Sequence, residues 1–205
     1  MVTRRVPTVS GELRIRQPRE AAELPDDQGV EWAPLVPYWS VLWRSGIALA
    51  GELSACPLAG QRVVELGCGL AVPSLAAAQR GADVLATDHA PEALELVALN
   101  ARENAVSVAT AEVDWLAPRY LLDRARFDLV LAADVLYERA SIGPLLSLLP
   151  RLGDDVWLAD PDRPPARAFL EAAARDWRVE TGARGVVRIH RLRKRQAPRL
   201  TATSP

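Results

Sequence analysis

One short stretch limits the fold of this chain more than any other, the run Val63-Val64-Glu65-Leu66-Gly67-Cys68-Gly69. Its apolar start is typical of a buried parallel strand, and the Gly-x-Gly turn allows the backbone to bend sharply and to approach a ligand closely. The residues from Leu70 to Arg80 then have the apolar spacing of a packed helix. The stretch therefore predicts a strand, a ligand-binding loop and a helix.

Two acids beside this loop distinguish between nucleotide cofactors. A dinucleotide fold favours a third glycine and places a pyrophosphate at the helix N-terminus, which an upstream carboxylate would repel. Here the third glycine is absent and Glu65 precedes the turn, which suits a ligand with a positive end, such as S-adenosylmethionine. Asp88 closes the next apolar strand, at the distance of about twenty residues from which an acid binds ribose hydroxyls. The alternative is an ordinary turn in which Glu65 and Asp88 only cap helices.

Length and charge narrow the class of protein. At 205 residues the chain fits one domain, and its formal net charge is −1. No apolar run reaches membrane-spanning length and the first residues lead into charges, so we expect a soluble, cytoplasmic protein without a membrane partner. Cys56 and Cys68 lack the spacing of a disulfide framework or a zinc site, so we expect no metal. The arginine-rich end suits phosphate contacts, but such ends are more often a solvated strand edge followed by a disordered tail.

Strand and helix patterns alternate along the chain. We predict strands over 12–17, 106–113, 127–133 and 156–159, helices over 47–55, 92–103, 120–125, 142–152 and 166–174, and a last strand pair at 177–180 and 186–192 joined by Gly182 and Gly185. A polar loop at 26–29 follows the first strand. This alternation predicts a parallel α/β sheet that ends in an antiparallel hairpin.

Acidic residues follow the predicted strands at one edge of this sheet: Glu65, Asp88, Asp114, Asp134 and Asp160. In open α/β sheets ligands bind outside the carboxyl ends of the strands, so we expect an active site there. Three aromatic residues lie close together ahead of the helix at 47–55, and they are too costly to leave in water. Of these we expect Trp39 to pack in the core and Trp43 to line the pocket.

With these residues the chain resembles the seven-β-strand S-adenosylmethionine-dependent methyltransferases, and more narrowly the family 16 protein lysine methyltransferases. The matching pieces are Trp43-Arg44-Ser45-Gly46, Glu65 to Gly69, Asp88, Asn100 with Asn104, Asp114-Trp115, and Asp134-Val135-Leu136-Tyr137, which looks like the family's Asp-x-x-Tyr signature. Within the family the chain looks most like the enzymes that methylate the electron transfer flavoprotein β subunit, because of the sequence at 12–16, 37–46 and 159–163.

The resemblance implies a class I methyltransferase fold, a Rossmann-like, mostly parallel seven-stranded sheet with a C-terminal antiparallel hairpin. It implies an N-terminal strand and loop extension over 1–36, a methyltransferase domain over 37–195 and a disordered basic tail over 196–205. It further implies direct in-line methyl transfer from S-adenosylmethionine to a lysine of a protein substrate, such as the electron transfer flavoprotein β subunit, leaving S-adenosylhomocysteine.

The resemblance also implies a role for each matched residue. The methionine part of the cofactor would lie at Glu65, Gly67, Cys68 and Gly69, the ribose at Asp88, and the adenine between Asp114 and Trp115, while Trp43 and Ala133 complete the pocket. Asp134 and Tyr137 would face the entering lysine as the catalytic pair.

Two departures from the family pattern bear on this interpretation. Ala71 stands where relatives often have glycine, and Asp162 stands where the flavoprotein enzymes usually have glycine in Asp-Pro-Gly-Arg. Three other functions stay open: methylation of a small-molecule amine, methylation of RNA, and a non-catalytic protein that keeps the fold and cofactor. Nucleic acid is disfavoured because Asp134-Val135-Leu136-Tyr137 replaces the Asn/Asp-Pro-Pro-Tyr/Phe of enzymes that act on planar base amines.

Overall fold

The computed structural model of this protein describes residues 1–9, 11–22 and 37–195. The predicted loop at 26–29 and the predicted tail at 196–205 lie outside these residues. The strands are β1 (Val2–Thr8), β2 (Gly11–Gln17), β3 (Arg62–Leu66), β4 (Asp83–Asp88), β5 (Ala109–Glu112), β6 (Leu129–Ala133), β7 (Asp155–Asp160), β8 (Trp177–Arg184) and β9 (Val187–Lys194). The α-helices are α1 (Arg19–Ala22), α2 (Arg44–Leu53), α3 (Val72–Gln79), α4 (Pro91–Glu103), α5 (Arg119–Leu122), α6 (Ile142–Leu152) and α7 (Pro164–Ala173).

Among the described residues, seven strands form one sheet in the order β5-β4-β3-β6-β7-β9-β8. The strands from β5 to β7 are parallel, and β9 is antiparallel to both of its neighbours. The predicted fold class is thereby confirmed. The chain runs outward from β3 through β4 to β5 and then returns to β6 on the other side of β3. The strand order therefore reverses beside β3, and ligands bind at such switch points.

Helices cover both faces of the sheet, so its central strands are apolar on both sides. Neighbouring residues of β3 show this: Val63 packs with α2 and α3 in one core cluster, whereas Val64 packs with α6 and α7 in another. Both side chains are fully buried. This two-sided burial explains the nearly continuous apolar runs that predicted β3 and β6.

A hairpin of β1 and β2 lies outside the main sheet and packs on α4. The side-chain amides of Asn100 and Asn104, one helical turn apart, replace a neighbouring strand for β2. The Oδ1 atoms of Asn100 and Asn104 accept hydrogen bonds from the backbone N–H groups of Arg16 and Arg14, both at 2.8 Å, and their amide nitrogens donate back to the carbonyl oxygens of the same two residues. The two asparagines therefore hold the hairpin on the domain.

Several predicted boundaries shift in the structure. The helix predicted from residue 47 begins three residues earlier, at Arg44, and Trp43 is its N-cap residue. The strand predicted from 106 begins only at Ala109, after a turn in which Ala105 has a left-handed φ of 54°. Gly182 lies within β8, and only Gly185 lies in the hairpin turn. No helix in the described ranges is both long enough and apolar enough to cross a membrane.

Candidate functional site

A cavity of about 380 Å³ opens at the carboxyl ends of β3, β4 and β6. Every site residue predicted from the sequence lines it: Trp43, Glu65, Gly67, Cys68, Gly69, Asp88, Asp114, Trp115, Ala133, Asp134 and Tyr137. Asp160 does not line the cavity, although it was expected at the same edge. The strand ends therefore bring the predicted residues together, as the parallel topology requires.

The glycine loop after β3 is tightly enclosed. Gly69 has a left-handed φ of 49°, and a Cβ atom there would lie 2.9 Å from the backbone oxygen of Trp39. At Gly67, with φ of 62°, a Cβ atom would lie 3.0 Å from the side chain of Val135 and 3.3 Å from the ring of Trp115. Side chains at either position would strain the backbone and collide with the walls of the cavity.

Glu65 is buried beside this loop and binds the first turn of α3. Its Oε2 accepts hydrogen bonds from the backbone N–H of Ser74, at 2.9 Å, and from the Ser74 hydroxyl. The N-cap residue of this helix, Ala71, has no side-chain acceptor for such a bond. Glu65, which lies in β3, therefore supplies the carboxylate oxygen that a capping side chain usually supplies. Burial raises the pKa of Glu65 to about 8. The capping role that the sequence allowed for Glu65 is thus present, and Glu65 also lines the cavity, where its contact with a cofactor stays a prediction.

Asp88 fastens the glycine loop to β4. Its Oδ2 accepts the N–H of Gly69 at 2.9 Å, and its Oδ1 accepts the N–H of Ala90 at 3.1 Å. The N-cap residue of α4 is Ala90 rather than Asp88. Since each carboxylate oxygen can accept more than one hydrogen bond, Asp88 retains capacity for a ligand hydroxyl.

The wall after β5 combines an acid with apolar side chains. Asp114 is exposed, and its Oδ1 accepts the N–H of Leu116 at 2.8 Å, which fixes the turn. Trp115 lies against Gly67. Leu116 also lines the cavity, although 79% of it is exposed to solvent, and the sequence analysis missed it. An exposed leucine at a cavity rim offers apolar contact to a ligand.

Asp134 lies at the opposite wall, directly after β6, with a left-handed φ of 59°. Its backbone N–H donates to the carbonyl of Ala159 at 2.9 Å, and its Oδ1 accepts from Nη1 of Arg163 at 2.7 Å. Its Oδ2 is buried and makes no hydrogen bond with any residue that the structure describes. Burial raises the pKa of Asp134, whereas the charge of Arg163 and the polar groups of Ser45, which face the carboxyl group, oppose that rise.

Aromatic side chains form the mouth of the cavity. The rings of Tyr38 and Tyr137 lie 5.2 Å apart between centroids, and Nε1 of Trp43 donates to the carbonyl of Tyr38 at 2.9 Å. Trp39 also lines the cavity while packing on the core, so the prediction of a core role alone was incomplete. Tyr38 and Arg163 line the cavity as well and were not predicted as site residues. The sequence features that could have indicated them are the aromatic run at 38–43 and the position of Arg163 after β7.

The residues of the cavity fit S-adenosylmethionine. The buried Glu65 suits an ammonium group, the enclosed glycine loop leaves backbone amides close to a ligand, and the wall at Trp115 offers an apolar face for a purine. At the other wall, Oδ2 of Asp134 is a buried acceptor with no partner among the described residues. The cavity therefore has one wall suited to the cofactor and another suited to a second, cationic group.

Comparison with known proteins places these features in a family. The family model described as lysine methyltransferase matches residues 39–156. Protein N-lysine methyltransferase METTL21A of Danio rerio is 34% identical over 128 residues, which span 58% of this chain and 58% of that protein. The electron transfer flavoprotein beta subunit lysine methyltransferase of Rattus norvegicus is 30% identical over 166 residues, which span 75% of this chain and 61% of that protein. The chain thus covers about three fifths of the length of these relatives.

A solved structure shows the same fold. The magnesium protoporphyrin IX methyltransferase of Synechocystis, solved with bound S-adenosylmethionine, aligns with a TM-score of 0.58 and 21% identity. The alignment covers 86% of this chain and 89% of that chain. The likeness supports the class I methyltransferase fold described above.

Proposed function

We propose, because the chain belongs to the lysine methyltransferase family, that it transfers a methyl group from S-adenosylmethionine to a lysine side chain of another protein. The observation that carries this proposal is the position of Asp134, whose unpaired Oδ2 lies in the same cavity as Glu65 and the glycine loop. A carboxylate there provides a site for the positively charged end of a lysine beside the cofactor.

On this proposal the cofactor is held mainly by residues at the carboxyl ends of β3, β4 and β5, with one residue before α2 and one at the end of β6. Glu65 would bind its amino group, and the loop from Gly67 to Gly69 would bind its methionine part through backbone amides. Asp88 would accept from the ribose hydroxyls, while Asp114 and Trp115 would flank the adenine and Trp43 and Ala133 would complete the pocket. When bound, S-adenosylmethionine would supply a methyl group on a positively charged sulfur: the lysine nitrogen would form the new bond to the methyl carbon, and the sulfur would keep the electron pair of the carbon–sulfur bond that breaks.

The remaining residues prepare the lysine. Its amine has a reference pKa of about 10.4, so it must release a proton to solvent before transfer. Burial between Tyr38 and Tyr137 favours the neutral amine. The nitrogen then gains positive charge as the new bond forms, and an ionised Asp134 stabilises that charge. Placing the two reacting groups in line contributes up to about 7–11 kcal/mol, so no strong general base is required.

The proposed protein substrate is the electron transfer flavoprotein β subunit. The match to a methyltransferase of that subunit over 75% of this chain supports it, as does the sequence at 37–46. Asp162, in place of the usual glycine, argues for testing other substrates in parallel. The proposed setting is the cytoplasm.

The test is methyl transfer to a purified protein. The protein is incubated with methyl-labelled S-adenosylmethionine and the recombinant β subunit from the same host, and the labelled residue is mapped by mass spectrometry. We expect label on lysine, and we expect Asp134→Ala to abolish it while cofactor binding persists. Absence of label on the β subunit would refute this substrate, and label confined to RNA or a small molecule would refute the proposed acceptor class.

A further inference from the structure

Arg163 is a charged residue of the cavity to which neither the family signature nor the proposed function assigns a role. We propose that Arg163 is a positioning residue that holds Asp134 as a carboxylate with Oδ2 directed to the substrate lysine, and that Asp160 in turn holds Arg163. The identity of the lysine rests on the proposed function, whereas the arrangement of the three side chains does not depend on it.

The contacts form a chain from the sheet to the cavity. Nη1 of Arg163 donates to Oδ1 of Asp134 at 2.7 Å and to Oδ2 of Asp160 at 3.0 Å. Asp160 is the fully buried last residue of β7 and does not line the cavity. It therefore acts behind Arg163, on the side away from the ligand, and restricts the guanidinium to one place.

The backbone on both sides of this contact is fixed. The N–H of Arg163 donates to Oδ1 of Asp160 at 2.7 Å, and Pro164 follows as the first residue of α7. On the other side, Asp134 is held in its left-handed conformation by the bond from its N–H to Ala159. Such backbone strain persists only where the surrounding structure enforces it, and it is concentrated at functional sites.

Two acids and one base meet at this end of the cavity. The carboxyl groups of Asp134 and Asp160 share the single guanidinium of Arg163, so one negative charge is unbalanced whenever both carboxyl groups are ionised. Oδ1 of Asp134 is occupied by Arg163, whereas the buried Oδ2 has no hydrogen-bond partner among the described residues. A buried acceptor without a partner costs stability, which makes a ligand the natural partner for this atom. A lysine ammonium, or the nitrogen that gains charge during methylation, supplies both the missing donor and the missing charge.

A neighbouring ion pair shows what a purely structural contact looks like in this chain. Arg167, on the next turn of α7, binds both carboxylate oxygens of Asp162, through Nε at 3.1 Å and Nη2 at 2.8 Å. The side chain of Arg167 is 62% exposed and that of Asp162 is 38% exposed, and neither residue lines the cavity. Because this pair has one carboxylate for one guanidinium and lies outside the cavity, Arg167→Met is the matched control for Arg163→Met.

The first experiment measures ionisation of Asp134 directly. Protein labelled with carbon-13 at the aspartate carboxyl carbons is titrated by NMR, and the Asp134 signal is identified by its loss in Asp134→Asn. We expect the midpoint to rise by about one pH unit or more in Arg163→Met, to rise less in Arg163→Lys, and to stay unchanged in Arg167→Met. Arg163→Lys retains the charge beside the two carboxylates, so it provides the answer if Arg163→Met does not fold. An unchanged midpoint in the Arg163 variants would overturn the proposal.

The second experiment measures the consequence for the acceptor. The titratable groups around Asp134 are Asp160 at the end of β7 and Arg163 after it, Glu65 near the end of β3, and Tyr137 and Glu138 on its own loop. Ser45 of α2 also faces it. Saturating S-adenosylmethionine removes the dependence on Glu65. With the β subunit as acceptor, we expect kcat/KM of Arg163→Met to fall about tenfold or more at neutral pH and to recover as the pH is raised. A deficit that is constant with pH, or an equal loss of cofactor affinity, would contradict a positioning role.

A probe of the lysine side chain separates this proposal from the proposed function. n-Butylammonium has the length and charge of that side chain, and we expect it to shift the Asp134 carboxyl signal of the parent protein more than that of Arg163→Met. This shift in a protein that methylates no β subunit would support the role of Arg163 and refute only the substrate. Equal shifts in the two proteins would overturn the role of Arg163.

Discussion

The two ends of the cavity are built on different physical principles. At the β3–β4 end, Glu65 and Asp88 are acids that bind backbone N–H groups, and the glycine loop provides a close-fitting backbone surface. At the β6–β7 end, Asp134 and Asp160 bind a guanidinium, and one carboxylate oxygen has no partner among the described residues. On the proposed function, the first end would hold the cofactor through the close-fitting backbone and the buried Glu65, and the second would hold the acceptor through the charge of Asp134. This difference predicts separate effects on cofactor binding and on transfer.

The largest effects should come from removing one acid at each end. Asp88→Ala removes the hydrogen bond to the glycine loop and the proposed ribose acceptor, so we expect the Kd for S-adenosylhomocysteine to rise by about tenfold or more. Asp134→Ala should leave that Kd within about threefold and lower kcat/KM for the acceptor by about a hundredfold to a thousandfold. Calorimetric titration and initial rates measure the two effects. Similar losses of cofactor affinity in the two variants would show that the ends are not separate.

The next effect concerns the shape of the glycine loop. Gly69→Ala places a Cβ atom against the Trp39 carbonyl at a left-handed position, so we expect the free energy of unfolding to fall by about 2–4 kcal/mol and the cofactor to bind poorly. Gly60→Ala is the control, because Gly60 also has a positive φ, of 74°, but open space around it. It should cost about 1 kcal/mol and leave cofactor binding unchanged. Urea unfolding measures both losses. Equal losses of the free energy of unfolding in Gly69→Ala and Gly60→Ala would show that the positive φ alone, and not the contact with Trp39, determines the loss.

A smaller effect is the pH dependence of cofactor binding. The pKa of Glu65 is about 8 in the ligand-free protein, so binding a cationic amine must expel its proton. We expect affinity for S-adenosylhomocysteine to rise by up to about tenfold per pH unit between about pH 6 and 7, and Glu65→Gln to be flat over that range. Calorimetry in buffers of different ionisation heat should detect the released proton. A flat profile for the parent protein would mean that Glu65 does not bind the amine as a carboxylate.

The same shift predicts the direction of a stability change. Folded Glu65 holds its proton between its ordinary pKa of 4.5 and its raised pKa of about 8, whereas the unfolded chain releases it. Its contribution to the free energy of unfolding of the ligand-free protein is therefore full below pH 4.5 and is lost as the pH rises through 8. The difference between the parent and Glu65→Gln across this window measures it.

The smallest effect tests a position near the charged end. Asp162 has a left-handed φ of 68°, and its ion pair with Arg167 is exposed. We expect Asp162→Gly to stabilise the protein by about 0.5 kcal/mol, because relief of backbone strain exceeds the small value of that pair. Asp123→Gly is the control, since Asp123 pairs with Arg119 but has a φ of −67°. In thermal unfolding we expect Asp162→Gly to raise the midpoint temperature and Asp123→Gly to lower it. A lower midpoint temperature for both variants would contradict relief of backbone strain at Asp162.

The sequence alone predicted the main sheet well because β3, β6 and β7 are apolar runs with an acid at or just beyond the carboxyl end. It did not predict β1, since only Val6 of this strand is fully buried and no apolar alternation marks it. The role of Arg163 was also missed, because its partner Asp134 lies 29 positions away in the chain and only the fold brings them together. Local patterns report burial and turns, but they do not report contacts between distant strand ends.

The two departures from the family pattern show a further limit. Ala71 and Asp162 both replace glycines, and both have a left-handed φ, of 57° and 68°. The family preference for glycine at these positions therefore has a conformational reason that applies here too. The sequence identified the positions, and the backbone angles explain them.

The most direct test of the account is to locate the transferred methyl group. A lysate of the host, freed of endogenous cofactor, is incubated with the protein and methyl-labelled S-adenosylmethionine, beside an identical reaction with Asp134→Ala, and the labelled molecules are mapped by mass spectrometry. We expect methylated lysine in a protein in the first reaction and none in the second. Label on RNA, on a small molecule or on a residue other than lysine, or equal lysine methylation by Asp134→Ala, would contradict it.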